Sequence, residues 1–178
     1  MLHFALQDVM LFVCEAFCPF PFLPWRCAMP EPTAILLIDD EEDILDVLRE
    51  YFEEKGYRVF AATSGEDGVD IARREDLNMV LVDLRLPGMD GTQVVEKVRQ
   101  INADLPVVII TAYPSFESAV KAIRARAYDY LVKPFQMSYL GMVVENAIRE
   151  YQLTQQSQRF QDRLAEAKEI VNRVKDRT

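Results

Sequence analysis

The sequence holds a single histidine, His3, at its very start. Histidine-based catalysis and histidine-rich metal sites are therefore not expected in the body of the chain. The three cysteines, Cys14, Cys18 and Cys27, all fall in the first 30 residues. The body has none, which fits a reducing, cytoplasmic setting and argues against a disulfide scaffold. Basic residues are outnumbered, 20 against 29 acidic, for a net charge of -9. That disfavours an electrostatic nucleic-acid binder, and no direct nucleic-acid contact is expected. No apolar run is followed by a glycine-rich phosphate pattern, so neither dinucleotide nor P-loop chemistry is supported. A membrane span would need roughly 20 apolar residues. The apolar start is broken by Asp8, Glu15 and the prolines of CPFPFLPW (18–25). No Lys or Arg precedes Arg26, so the basic region of a signal peptide is missing as well. The spacing of Cys14 and Cys18 is a weak metal signal. Residues 1–32 are expected to lie outside the domain, disordered or foreign to the natural chain, with Met29 a sensible start.

What is present is enough chain for one full domain and something more: 178 residues. From Thr33 onward, short apolar runs alternate with amphipathic segments. Strands are predicted at 34–38, 57–61, 79–82, 107–110 and 128–132. Between them, Ile44, Leu45, Leu48, Tyr51 and Phe52 recur at helical spacing, with Gly56 as the stop. Ser64 and Asp67 have the spacing of a capping box with Asp in place of Glu. Asp90 opens a helix whose apolar face is Val94, Val95 and Val98. Ser115 opens another through Arg124, and a last helix starts near Gln136. Five such pairs predict an α/β domain: a five-stranded, parallel, doubly wound sheet over residues 33–151.

The run AILLIDDEEDIL (34–45) sets five apolar residues against a cluster of acids. Those acids either open a helix, where negative charge is favoured, or hold a hard cation. The other strand ends bear on the choice. Asp39 and Asp40 follow strand one, Asp83 follows strand three, Thr111 strand four and Lys133 strand five. Parallel strands bring these ends to one edge, where ligands bind in such folds. Carboxylates gathered together repel unless a cation joins them, and oxygen-only donors select Mg²⁺ or Mn²⁺. One carboxylate can then attack phosphorus, with the metal, Lys133 and Thr111 sharing the charge of the transferred group.

Four stretches carry a resemblance: LLIDDEEDI (36–44), VLVDLRLPGMDG (80–91), VIITAYPS (108–115) and AYDYLVKPF (127–135). Together they resemble the receiver domain of two-component response regulators, of the flavodoxin-like fold. The resemblance implies that Asp83 is the phosphoacceptor. It implies Asp40 as a direct Mg²⁺ ligand, Asp39 as a more indirect one, and the Arg85 carbonyl as a further ligand. Lys133 would pair with the acceptor, and Thr111 would donate to the phosphoryl group while the aromatic Tyr130 rotates inward. The peptide between Lys133 and Pro134 is often cis in this family. The partners implied are a sensor histidine kinase or a phosphotransfer protein, and a downstream protein or output domain. TAYPSFESAVKAI (111–123) is similar to receivers of sigma-factor-dependent transcription activators.

Two departures stand out. Arg126 precedes Ala127 where the family often has Gly, and it would be strained at positive φ. Arg85 stands two residues past Asp83, where it either shields an aspartyl phosphate from water or pairs elsewhere. On the residues alone, Tyr130 also reads as core, since strict alternation puts Tyr128, Tyr130 and Val132 on one face. Beyond Tyr151 the chain is rich in helix formers. Phe160, Leu164, Ala167, Val171 and Val174 follow a heptad seam, predicting that the last helix extends through 152–178. That stripe either docks within the chain, forms a homodimer coil or leads to an output module. Two other functions are compatible with parts of the pattern. A phosphatase of the haloacid-dehalogenase type would want a second Asp where Arg85 stands. A constitutive dimerisation module would leave the acidic edge unused.

Overall fold

The computed structural model describes residues 33–175, with side chains through Glu169. Residues 1–32, with His3, the cysteines and the expected extension, lie outside the described residues, as do the side chains of Val171 and Val174. Among the described residues no helix is long and apolar enough to cross a membrane.

The elements alternate strictly: β1 (Ala34–Ile38), α1 (Glu42–Glu54), β2 (Arg58–Ala62), α2 (Gly65–Arg74), β3 (Met79–Asp83), α3 (Gly91–Ile101), β4 (Val107–Thr111), α4 (Phe116–Arg124), β5 (Asp129–Val132) and α5 (Met137–Lys175). All pairings are parallel, and the strand order is β2-β1-β3-β4-β5. Chain direction across the sheet therefore reverses between β1 and β3, the switch point where such folds open a crevice.

The strands read as unbroken apolar runs because both faces of the sheet are covered. In β1, Leu36 and Ile38 join Val69 of α2, Val94 and Val98 of α3 and Ala122 of α4 on one face. On the other, Ile35 and Leu37 meet Leu45, Leu48 and Phe52 of α1 and Leu140 and Val144 of α5. The period-2 pleat sends neighbours in one run to opposite cores.

Local chemistry sets the ends. Asp90 caps α3 in a complete capping box with Gln93, and Ser115 does the same for α4 with Ser118. At α2 only half a box forms. Ser64 accepts the Asp67 amide, while the Asp67 carboxylate takes the Ser64 hydroxyl at 2.8 Å. Asp is one methylene shorter than the Glu that usually closes such a box.

The starts of β2 and β5 fall one residue later than expected, and so do the ends of β2, β3 and β4. Tyr57 belongs to the turn after α1, its amide on the Phe52 carbonyl and its ring edge-on to Phe52 at 5.9 Å. Strand β5 starts at Asp129, not Tyr128, and this corrects the shared face expected of the tyrosines. Tyr128 packs on the α1/α5 side and Tyr130 on the α2–α4 side. Alternation holds only inside a strand, and Tyr128 lies before it.

Helix α5 runs for 39 residues. Its first three turns are core, with Leu140, Val144 and Ala147 buried. Further on it stands clear of the sheet, and Leu153, Phe160 and Leu164 are exposed.

Candidate functional site

Strand ends deliver the site. Asp39 directly follows β1, Asp83 ends β3, Thr111 ends β4 and Lys133 directly follows β5. The Lys133 amide donates to the Thr111 carbonyl at 2.8 Å, which ties the exit of β5 to that of β4. The Lys133–Pro134 peptide is cis.

Lys133 sits between two carboxylates. Its Nζ lies 2.7 Å from Asp39 Oδ2 and 3.1 Å from Asp83 Oδ1, with Glu41 Oε1 further off at 3.9 Å. Asp39 is 3% exposed and Asp83 7%, so water screens this group poorly. Two carboxylates against one ammonium leave an excess of negative charge at the edge. Backbone donors take the other oxygens: the Arg85 amide reaches Asp83 Oδ2 at 2.6 Å, and the Glu41 amide reaches Asp39 Oδ1 at 3.0 Å.

Burial pushes the Asp83 carboxyl above the ordinary carboxylate range. The Arg85 amide and Lys133 pull it down without cancelling that, and Asp39 adds to the rise. For Lys133, burial favours the neutral amine, but Asp39 and Asp83 outweigh it and the ammonium is held above its usual pKa.

The donor chemistry fits a hard divalent cation. Asp39, Asp40, Asp83 and the backbone carbonyl of Arg85 offer only oxygen, and the local charge is negative. Convergence is less complete. Among the described residues no group of three or more His, Cys, Asp or Glu side chains gathers around one point. Asp40 is exposed while its neighbour Asp39 is buried.

The remaining candidates are near but otherwise engaged. Thr111 is fully buried, and its Oγ1 accepts the Tyr113 amide at 3.1 Å. Tyr130 is half-buried, its hydroxyl 2.8 Å from Ser118 Oγ. The Arg85 side chain turns outward and lays its guanidinium over the Tyr113 ring, 4.3 Å from the centroid. Tyr113 and Ser118 were missed by sequence reasoning. Tyr113 could have been found by its position two residues past Thr111, matching Arg85 two past Asp83.

The loop from Asp83 to α3 folds tightly back. The Gly91 amide donates to the Leu84 carbonyl at 2.9 Å. A Cβ on Gly91 would stand 2.4 Å from the Asp83 carbonyl oxygen and 2.9 Å from Leu84 Cα. Only glycine lets α3 begin against the backbone of Asp83.

A family model describing the response regulator receiver domain matches residues 35–145. The chain belongs to the response regulator receiver domain family. Regulatory protein AtoC of Escherichia coli K12 is 33% identical over 115 residues, 65% of this chain and 25% of AtoC. Transcriptional regulatory protein ZraR of the same strain is 35% identical over 64% of this chain and 26% of its own length. The receiver thus spans about a quarter of the length of the curated relatives it matches. Among solved structures, a CheY-like receiver domain protein from Methanospirillum hungatei superposes with a TM-score of 0.67 at 29% identity. It covers 69% of this chain and 98% of that one. NtrX from Brucella abortus, solved in complex with ADP, gives 0.66 at 30% identity, covering 71% of this chain and 29% of NtrX.

Proposed function

We propose that this receiver accepts a phosphoryl group on Asp83 and thereby switches a protein-interaction surface. The observation that carries this reading is the Asp83–Lys133–Asp39 cluster at the β1/β3 switch point. The donor would be a sensor histidine kinase or a phosphotransfer protein, in the cytoplasm.

In the transfer, an Asp83 carboxylate oxygen attacks phosphorus and a P–O bond forms. The bond to the donor breaks, a P–N bond in phosphohistidine or a P–O bond in acetyl phosphate, and its electron pair leaves with the donor. Asp39, Asp40, Asp83 and the Arg85 carbonyl would hold Mg²⁺, with Mn²⁺ as substitute, which neutralises charge on the phosphoryl oxygens when bound. Lys133 carries positive charge to the same place and keeps its own proton. The Arg85 amide, already on Asp83, orients the carboxylate. Hydrolysis of the product by water is the only other chemistry expected. The chain is a signalling protein, not an enzyme acting on an external substrate.

The product adds about -1.5 to -2 charges and three strong acceptors. Thr111 would turn its hydroxyl from the Tyr113 amide to the phosphoryl group, and Tyr130 would follow. The surface of α4, β5 and α5 carries Phe116, Ile123, Val132, Tyr139 and Met142 exposed, and its shape would shift with them. A downstream protein or an output domain would read that change. The exposed seam at Leu153, Phe160 and Leu164 provides for a homodimer.

Intact mass after Mg²⁺ and acetyl phosphate, beside Asp83→Asn, tests the reading. One added phosphoryl group, absent from the variant, is expected. No addition from acetyl phosphate or any histidine kinase would overturn it in favour of a constitutive interaction module. Sedimentation of the same samples, with Phe160→Glu as control, reads the dimer.

A further inference from the structure

Ser118 is the third residue of α4, and its hydroxyl is fully engaged. It donates to the Ser115 carbonyl at 2.9 Å and accepts the Ser115 amide at 3.1 Å. The Tyr130 hydroxyl lies 2.8 Å from the same oxygen. A hydroxyl has one proton to give and two lone pairs to offer. With the proton on the Ser115 carbonyl and one lone pair on the Ser115 amide, the remaining lone pair takes the phenolic proton of Tyr130. Ser115 Oγ, 3.0 Å away, contends for that lone pair while accepting the Ser118 amide at 3.1 Å. One side-chain oxygen therefore closes the N-terminal cap of α4 and also anchors the tyrosine of β5.

Ser118, Ala119 and Val120 of this helix are half-buried. Of its nine residues only Ala122 is buried, and Phe116 and Ile123 are 81% and 75% exposed. A helix with so small a buried face depends on its cap and on side-chain ties to its neighbours. Tyr130 packs against the core that includes Ala122, and its hydroxyl reaches Ser118 of α4.

We propose that Ser118 is a positioning residue for Tyr130: through its hydroxyl, movement of the ring and loosening of the first turn of α4 become one event. The proposal rests on the switch reading for its use in signalling, but the coupling itself exists before any phosphoryl group arrives. Thr111 and Tyr130, both residues of the expected switch, are each engaged elsewhere, Thr111 on the Tyr113 amide and Tyr130 on Ser118. Freeing Tyr130 opens the lone pair to the Ser115 hydroxyl, so the cap rearranges as the ring departs.

Hydrogen exchange of the full chain at the amides of residues 116–120 decides the matter, as a cycle of Ser118→Ala, Tyr130→Phe and the double variant. Tyr130→Phe removes one oxygen and keeps both capping residues, Ser115 and Ser118, in place, so the fold survives. Faster exchange is expected in both single variants: about threefold to fivefold in Tyr130→Phe, which loses one ordinary hydrogen bond, and more in Ser118→Ala, which loses the capping contacts as well. The double variant should exchange no faster than Ser118→Ala alone. Fully multiplicative effects, or a Tyr130→Phe protein exchanging like the parent, would overturn the proposal. A second arm uses acetyl phosphate and Mg²⁺. The parent should loosen at 116–120 and Ser118→Ala should gain little more; equal loosening in both would overturn it. Intact mass on those samples reports separately whether Asp83 is phosphorylated. Failure of the functional reading thus shows as no mass gain, while the unphosphorylated cycle still decides the coupling.

Discussion

The guanidinium of Arg85 lies over the face of Tyr113, 4.3 Å from the ring centroid. Arg85 stands two residues past Asp83 and Tyr113 two past Thr111, so the stack clasps the loops that leave β3 and β4. Both side chains are exposed, where such contacts contribute about 0.5–1 kcal/mol. On the phosphorylated protein the clasp would hinder water on its way to the phosphorus. Arg85→Asn and Tyr113→Ala are each expected to shorten the aspartyl-phosphate lifetime, by about twofold to fivefold if the whole contact is lost. Half-lives read by intact mass after removing the phosphodonor check this. An unchanged half-life in both variants sinks it.

Gly91 begins α3 against the backbone of Asp83, with no room for a Cβ. The atoms in the way are backbone, which cannot swing aside. Gly91→Ala should destabilise the domain by about 1–3 kcal/mol, as overpacking does elsewhere. It should also slow phosphorylation by displacing Asp83. Urea midpoints and initial rates with acetyl phosphate measure the two effects; a variant matching the parent in both contradicts the close approach.

Asp90 supplies a pH dependence of known sign. Partial burial pulls its carboxyl upward, but the Thr92 hydroxyl at 2.6 Å, the Gln93 and Thr92 amides and the charge of Lys121 win, and its pKa is held below that of an ordinary aspartate. A carboxyl lowered in the fold binds protons more readily when unfolded, so stability rises with pH through that window. The contribution is complete above the unfolded value and is lost as pH falls through the folded one. Asp90→Asn still caps the helix but cannot titrate. Its deficit relative to the parent should therefore be present at pH 6 and shrink below pH ~4, approached from the unfolded-state pKa. Urea titrations of both proteins across that range test it, and a deficit independent of pH counts against it.

Arg126 sits at φ 61, in the left-handed region. A side chain there costs roughly 1–2 kcal/mol, and part of that returns when glycine brings a freer unfolded chain. Arg126→Gly should stabilise the domain by about 0.5–1 kcal/mol. The Arg126 carbonyl, which accepts from the Arg99 guanidinium at 2.6 Å, is backbone and survives the change. Thermal unfolding gives the sign directly, and a lower midpoint would show that the arginine side chain contributes more than its strained backbone costs.

Much of this was legible because a parallel sheet buried on both faces writes itself as short apolar runs. Ala34–Ile38 and Val107–Thr111 are such runs, and each hands on to a polar residue at the same edge. Parallel direction then requires those polar residues to share a cleft, so Asp39, Asp83, Thr111 and Lys133 could be grouped without coordinates. Caps were equally readable, since Asp90 and Ser115 act on amides two or three residues away. The positive φ at Arg126 was signalled only by the glycine that the family often carries at that position.

Contacts between distant segments were beyond that reach. Adjacent identical acids, Asp39 and Asp40, differ only in which one the strand end turns inward toward Lys133, 94 residues along the chain. The face of Tyr130, its tie to Ser118 and the stacking of Arg85 on Tyr113 depend on how loops from separate strands come to rest. Local periodicity carries no record of such pairings. Hydrophobic period and backbone geometry set the elements, their direction and the edge where chemistry gathers, and all three are written in local stretches of chain. Which groups touch at that edge depends on packing across the whole sheet, which no local stretch records.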